Sequence, residues 1–134
     1  MRFPLLNITN TDWVTEEDLT SFMLFDQFWY NTTEEIFKRY ALNIDFCDSN
    51  GEIYQVTYRI YPTSWLRNAF KFLPMVYKCT LKFRKTGMQI PLVDLRHFML
   101  ERIKSLDKSE FQHKWITMVE NAKTHADIID GRVD

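Results

Sequence analysis

Between residues 42 and 92 the chain alternates apolar and polar side chains with the period of a β-strand and breaks the alternation with turn residues. Leu42, Ile44 and Phe46 alternate with Asn43, Asp45 and Cys47, and the cluster Asp48-Ser49-Asn50-Gly51 follows. Such a cluster reaches positive φ at low cost and makes a tight turn. Tyr54, Val56, Tyr58 and Ile60 then alternate with Gln55, Thr57 and Arg59, until Pro62 ends the ladder for want of an N–H. A second hairpin is expected beyond it. Tyr77, Cys79, Leu81 and Phe83 face one way, and Lys78, Thr80, Lys82 and Arg84 the other. Arg84-Lys85-Thr86-Gly87 reads as its turn, and Met88, Ile90 and Leu92 as the return strand, with Pro91 at its edge or end. Between the hairpins Thr63 or Ser64 caps a short helix carrying Trp65, Leu66, Ala69, Phe70 and Leu73, closed by Pro74.

The flanks read as helix. Thr15 and Asp18 have the spacing of a capping box, and Leu19, Phe22, Met23, Phe25, Phe28, Trp29 and Tyr30 follow on a helix with more than one apolar stripe. Thr32 and Glu35 have the same spacing before a short helix with Ile36, Phe37 and Tyr40 on one face. After the sheet, Leu95, Phe98, Met99, Ile103 and Leu106 keep helical spacing. Asp107 with Glu110 starts a last helix whose stripe runs from Phe111 through Trp115, Met118, Val119 and Ala122 to Ala126, and the tail from Asp127 frays. The expected fold is therefore α+β, one domain over residues 1–134. An antiparallel sheet of about four strands, two hairpins, occupies the middle of the chain, packed on one face by N-terminal helices and a C-terminal αα-hairpin.

Charge is unevenly distributed along a chain whose net charge is −1. Residues 1–52 hold ten acids and three bases, whereas residues 53–93 hold seven bases and no acid. Aromatics are abundant, with 11 Phe, 6 Tyr and 4 Trp, which reads first as a thick aromatic core. The only cysteines, Cys47 and Cys79, fall on opposite strand phases and are expected as reduced thiols of a cytosolic protein. The apolar run at residues 3–6 is too short for a signal-peptide core, and no window is long enough to span a membrane.

Little here points to catalysis. His97, His113 and His125 lack the i, i+4 spacing of a helical metal site, and three glycines cannot build a phosphate loop. No catalytic, cofactor or metal residue is expected. The expected function is a non-enzymatic protein-binding module, in its sharpest form a small cytosolic inhibitor of the immunity type that neutralises a toxin or effector by direct binding. A basic partner would meet Glu16, Glu17, Asp18, Glu34 and Glu35 on the acidic helices. An acidic partner would meet Lys78, Lys82 and Arg84, which share one strand face, with Thr57 and Arg59 extending it. The alternative is a nucleic-acid-binding domain using that same basic face. A homodimer through the over-apolar first helix is compatible with either reading.

Overall fold

The structure, a computed structural model, describes residues 1–12, 14, 15, 18, 24, 25, 28–30, 33–61, 78–107 and 112–131. The expected link helix over residues 63–73 lies outside them. Six strands form one sheet: β1 (Leu5–Asn7), β2 (Leu24–Phe25), β3 (Phe28–Tyr30), β4 (Asp45–Cys47), β5 (Glu52–Ile60) and β6 (Lys78–Gln89). Four helices accompany them among the described residues: α1 (Glu34–Tyr40), α2 (Leu92–Lys104), α3 (Gln112–Glu120) and α4 (His125–Ile129). The fold is α+β, and every strand pairing is antiparallel.

Strand order across the sheet is β2-β1-β4-β5-β6-β3, so four inner strands are flanked by two short ones. β2 and β3 stand at opposite ends of that order, yet only Asp26 and Gln27 separate them in sequence. Three peptide steps of about 3.8 Å keep the Phe25 and Phe28 Cα atoms within about 11 Å. The ends of a flat sheet of this width would lie about 24 Å apart, at about 4.8 Å per strand spacing. The sheet is therefore rolled, and its two outer strands are brought together by the covalent chain. This corrects the C-terminal half of the expected helix, where Phe25, Phe28, Trp29 and Tyr30 lie in strands; Leu19, Phe22 and Met23 lie outside the described residues. Aromatic residues suit a strand as well as a buried helix, and pairing with distant partners decides the outcome.

β6 corrects the second hairpin. It runs unbroken for 12 residues, paired with β5 from Thr80↔Ile60 to Gln89↔Glu52. Gly87, at φ 78°, does not reverse the chain. Its positive φ serves a bulge, because the register shifts between Glu52 and Tyr54 on the partner strand. Thr86 fills the gap, its hydroxyl donating to Ile53 O at 2.8 Å and accepting from Met88 N at 3.1 Å. A second register shift lies between Val56 and Tyr58, and there the Thr57 hydroxyl donates to Lys82 O at 3.2 Å. Each irregularity thus keeps a carbonyl satisfied through a threonine side chain.

Successive residues of β1 and β4 point to opposite faces, and both faces are covered. Leu5 and Phe46 join Ile44, Val56, Leu81 and, from α1 and its end, Phe37 and Ala41 in one core. Phe83 adds edge-to-face contacts to Phe3 and Phe46, with centroids 5.8 and 6.5 Å apart. Leu6 and Cys47 join the other core with Leu95, Met99 and Ile103 of α2, Val119 of α3, and Ile128 and Ile129 of α4. Helices gathered on one face would leave half of β1 and β4 wet; here the short buried strands are apolar on both sides.

Helix ends also differ from expectation. α1 is capped by Thr33, not Thr32: the Thr33 hydroxyl accepts from Ile36 N at 3.3 Å. The last apolar stripe is not continuous, because α3 ends at Glu120 and a new helix starts at His125. Thr124 and Asp127 form its capping box. The tail does not fray at Asp127, since Ile128 and Ile129 are buried.

The Asp48–Gly51 turn ties these parts together. Asp48 Oδ1 accepts from Asn50 N and Glu52 N, at 2.9 and 3.1 Å. Gly51 O accepts from Ile90 N at 2.9 Å, and His125 Nε2 donates to Ile90 O at 2.6 Å. Gly51 has φ 81°, and a Cβ placed there would come within 2.6 Å of His125 Nε2. Gly87 has nothing within 4 Å of such a Cβ. Gly51→Ala should therefore cost about 2–4 kcal/mol, backbone strain plus the displaced histidine bond, and Gly87→Ala only the strain, about 1–2 kcal/mol. Chemical denaturation of both variants checks the difference.

Candidate interaction surface on the outer sheet face

The bulge at Thr57 reverses the facing of everything after it on β5. Before it, Val56 is fully buried and pairs with Phe83; after it, Arg59 pairs with buried Leu81. Tyr58 and Ile60 therefore turn outward, 55% and 41% exposed, opposite Lys82 and Thr80. The outer face of β5–β6 thus carries Gln55, Tyr58, Ile60, Lys82 and Arg84. The expectation that Arg59 extends the basic face is corrected. Its side chain is 4% exposed, and its Nη2 lies 2.9 Å from Glu34 Oε1. The guanidinium carbon stands 4.6 Å from the Phe37 ring centroid and 5.0 Å from that of Tyr61. Arg59 is a clamp between α1 and β5, held by cation–π contact and one carboxylate.

Of the acids expected to meet a partner, Asp18 and Glu34 are engaged within the fold. Glu16 and Glu17 lie outside the described residues. Asp18 Oδ2 accepts from Val14 N and Thr15 N, at 2.7 and 2.9 Å, so its carboxylate is bound by the local backbone. Glu34 holds Arg59, and Glu35 is exposed in the first turn of α1. Asp12, another acid of this region, pairs with Arg39 at 3.1 Å and accepts from Tyr40 Oη at 2.6 Å. That bond is the first reason the Tyr40 hydroxyl is held above its ordinary range; burial adds to it.

The basic set fares differently. Lys78 pairs with Tyr30 through its backbone, and its side chain lies outside the described residues. Lys82 and Arg84 are exposed, two residues apart on an unbroken strand. Neither forms an ion pair among the described residues. Arg84 Nη2 instead donates to Gln55 Oε1. Lys85, one step on, is taken: its Nζ lies 3.3 Å from Glu52 Oε1. Tyr58 and Ile60 are surface residues that simple alternation misses, and nothing in the residue types around Thr57 signals the bulge that exposes them.

Other chemistry-bearing groups stand apart. His97 lies 3.2 Å from Glu101 on α2, His113 is exposed on α3, and His125 is committed to Ile90. No three His, Cys, Asp or Glu side chains gather as a metal site among the described residues. Both cysteines are buried, and burial, aided by the Asp48 charge, pushes the Cys47 thiol up to about 12. Among the described residues no helix is long and apolar enough to cross a membrane. No protein-family model, curated protein or solved structure matches the chain.

Glu52 accepts from Tyr54 Oη at 2.8 Å as well as pairing with Lys85. Those two bonds, Tyr54 first, hold its carboxyl below its ordinary value of 4.5. A carboxyl lowered by folding stabilises the native state above its unfolded value and stops doing so as pH falls through the folded one. The stability of the wild type should thus decline as pH drops below about 4.5, and Glu52→Gln should flatten that decline. Melting temperatures measured across this acid range compare the two.

Proposed function

We propose that the chain is a non-enzymatic protein-binding module whose contact surface is the outer face of β5–β6. The specific form is a small cytosolic inhibitor of the immunity type, holding a toxin or effector that offers an acidic surface. One observation carries the reading: exposed Tyr58 and Ile60 stand beside exposed Lys82 and Arg84 on a paired, rigid ribbon. Interface centres favour aromatic and arginine anchors that combine apolar area with a polar end, and charge complementarity speeds encounter. Asp18 and Glu34 are engaged within the fold, whereas exposed Lys82 and Arg84 form no ion pair among the described residues, which favours an acidic partner for this face.

A second reading draws on the same residues. Tyr58 directly opposite Lys82 resembles the exposed ring and cation on which single-stranded nucleic acid stacks. Exposed Ile60, and the engagement of Arg59 and Lys85 by Glu34 and Glu52, favour protein.

The two readings separate in one experiment. Tagged wild type and the Lys82→Glu/Arg84→Glu double variant are used for capture from nuclease-treated host extract, followed by titration of the purified partner. The proposal expects one stoichiometric protein that survives nuclease and binds the double variant at least about a hundredfold more weakly. Capture of nucleic acid alone, or a protein bound equally by both chains, would overturn it.

A further inference from the structure

Three side chains form one line across the strands on the outer face. Asp45 of β4 stands opposite Gln55 of β5, and Gln55 stands opposite Arg84 of β6. Gln55 Nε2 donates to Asp45 Oδ1 at 2.7 Å, which turns the Gln55 carbonyl toward β6, where Arg84 Nη2 donates to it. The amide cannot turn over. Its carbonyl would then face the Asp45 carboxylate, acceptor to acceptor, and its NH2 group would face the guanidinium, donor to donor.

We propose that Gln55, set by Asp45, is a positioning residue that presents the Arg84 guanidinium to a carboxylate of an acidic protein segment docked on this face. The inference rests on the reading of the face as a protein-binding surface and names the chemistry it selects. Arginine is long and flexible, and fixing it before binding removes part of the entropy cost of ordering it. Gln55 engages one Nη; a guanidinium carries five N–H donors in a planar fork that matches a carboxylate. Lys82 supplies a second charge two residues away, and Tyr58 supplies contact area opposite it.

Charge on the page favours a carboxylate segment over a phosphate backbone. Lys85 and Arg59 are held by Glu52 and Glu34, while Lys82 and Arg84, whose side chains are described, form no ion pair among the described residues; the Lys78 side chain lies outside them. The Asp45 carboxylate at the end of the line weakens the field for a dense polyanion more than for a single carboxylate met by one fork.

The test is a nuclear magnetic resonance titration of the isotope-labelled full chain at low salt. The probes are a hexaglutamate peptide and, separately, an oligothymidine. With hexaglutamate, the Arg84 Nε–Hε signal and the Tyr58 and Lys82 amides should shift together. Gln55→Leu and Arg84→Lys keep the net charge, and each should weaken that response about tenfold. Arg84→Lys changes only an exposed side chain, so its effect reads the fork and not the fold. Equal hexaglutamate affinity in the wild type and both variants would overturn the positioning role while sparing the face as a binding surface. Shifts on this face with oligothymidine but not hexaglutamate would overturn both the carboxylate assignment and the protein-binding reading. The absence of shifts there with either probe would do the same.

Discussion

The bulge at Thr57 is the constraint on which the surface and one of the cores depend. A β-strand shows its side chains alternately, so one extra residue exchanges the two faces for everything beyond it. Without it, Arg59 would lie on the wet face, and Tyr58 and Ile60 would lie over the core. With it, Arg59 reaches Phe37, Tyr61 and Glu34, and the start of α1 is fastened to β5. The same shift places a tyrosine and an isoleucine in water beside two cations.

Closure of the sheet gives that ribbon its support. The two residues between β2 and β3 are too few to span a flat sheet, so the strands roll, and β1 and β4 become interior elements with a core on each side. Leu5 and Leu6, neighbours in sequence, are 0% and 1% exposed in different cores, as Phe46 and Cys47 are also split between them. β5 is also buried on both sides at Ile53 and Tyr54, and the stretch that carries Tyr58, Ile60, Lys82 and Arg84 is open on its outer side. That stretch of the ribbon is therefore packed from below and accessible from above.

Local chemistry made some of this legible in the sequence. The Asp48–Gly51 turn, the strand character of residues 52–60 and 78–83, and the helical spacing of Leu95, Met99 and Ile103 all follow from residue type and period. Non-local pairing was not legible. Phe25, Phe28, Trp29 and Tyr30 suit helix or strand equally, and only β1 and β6 make them strand. Gly87 offers positive φ, which a turn and a bulge both use; the length of β5 available for pairing selects the bulge. At the surface, Lys82 and Arg84 follow from strict alternation along β6, whereas Tyr58 and Ile60 depend on a break in alternation that no residue near Thr57 announces. The acids near the N-terminus were legible as helix-start residues, and Asp18 and Glu34 find their partners within the fold.

The facing of residues 58 and 59 decides the account, and a soluble nitroxide reads it directly by broadening the signals of solvent-exposed protons. With the bulge in place, the Tyr58 ring and Lys82 side-chain signals broaden together, while the Arg59 side chain stays sharp and is displaced upfield by the Phe37 and Tyr61 rings. A protected Tyr58 ring with a broadened, unshifted Arg59 would mean that β5 runs without its bulge, and the proposed surface would not exist.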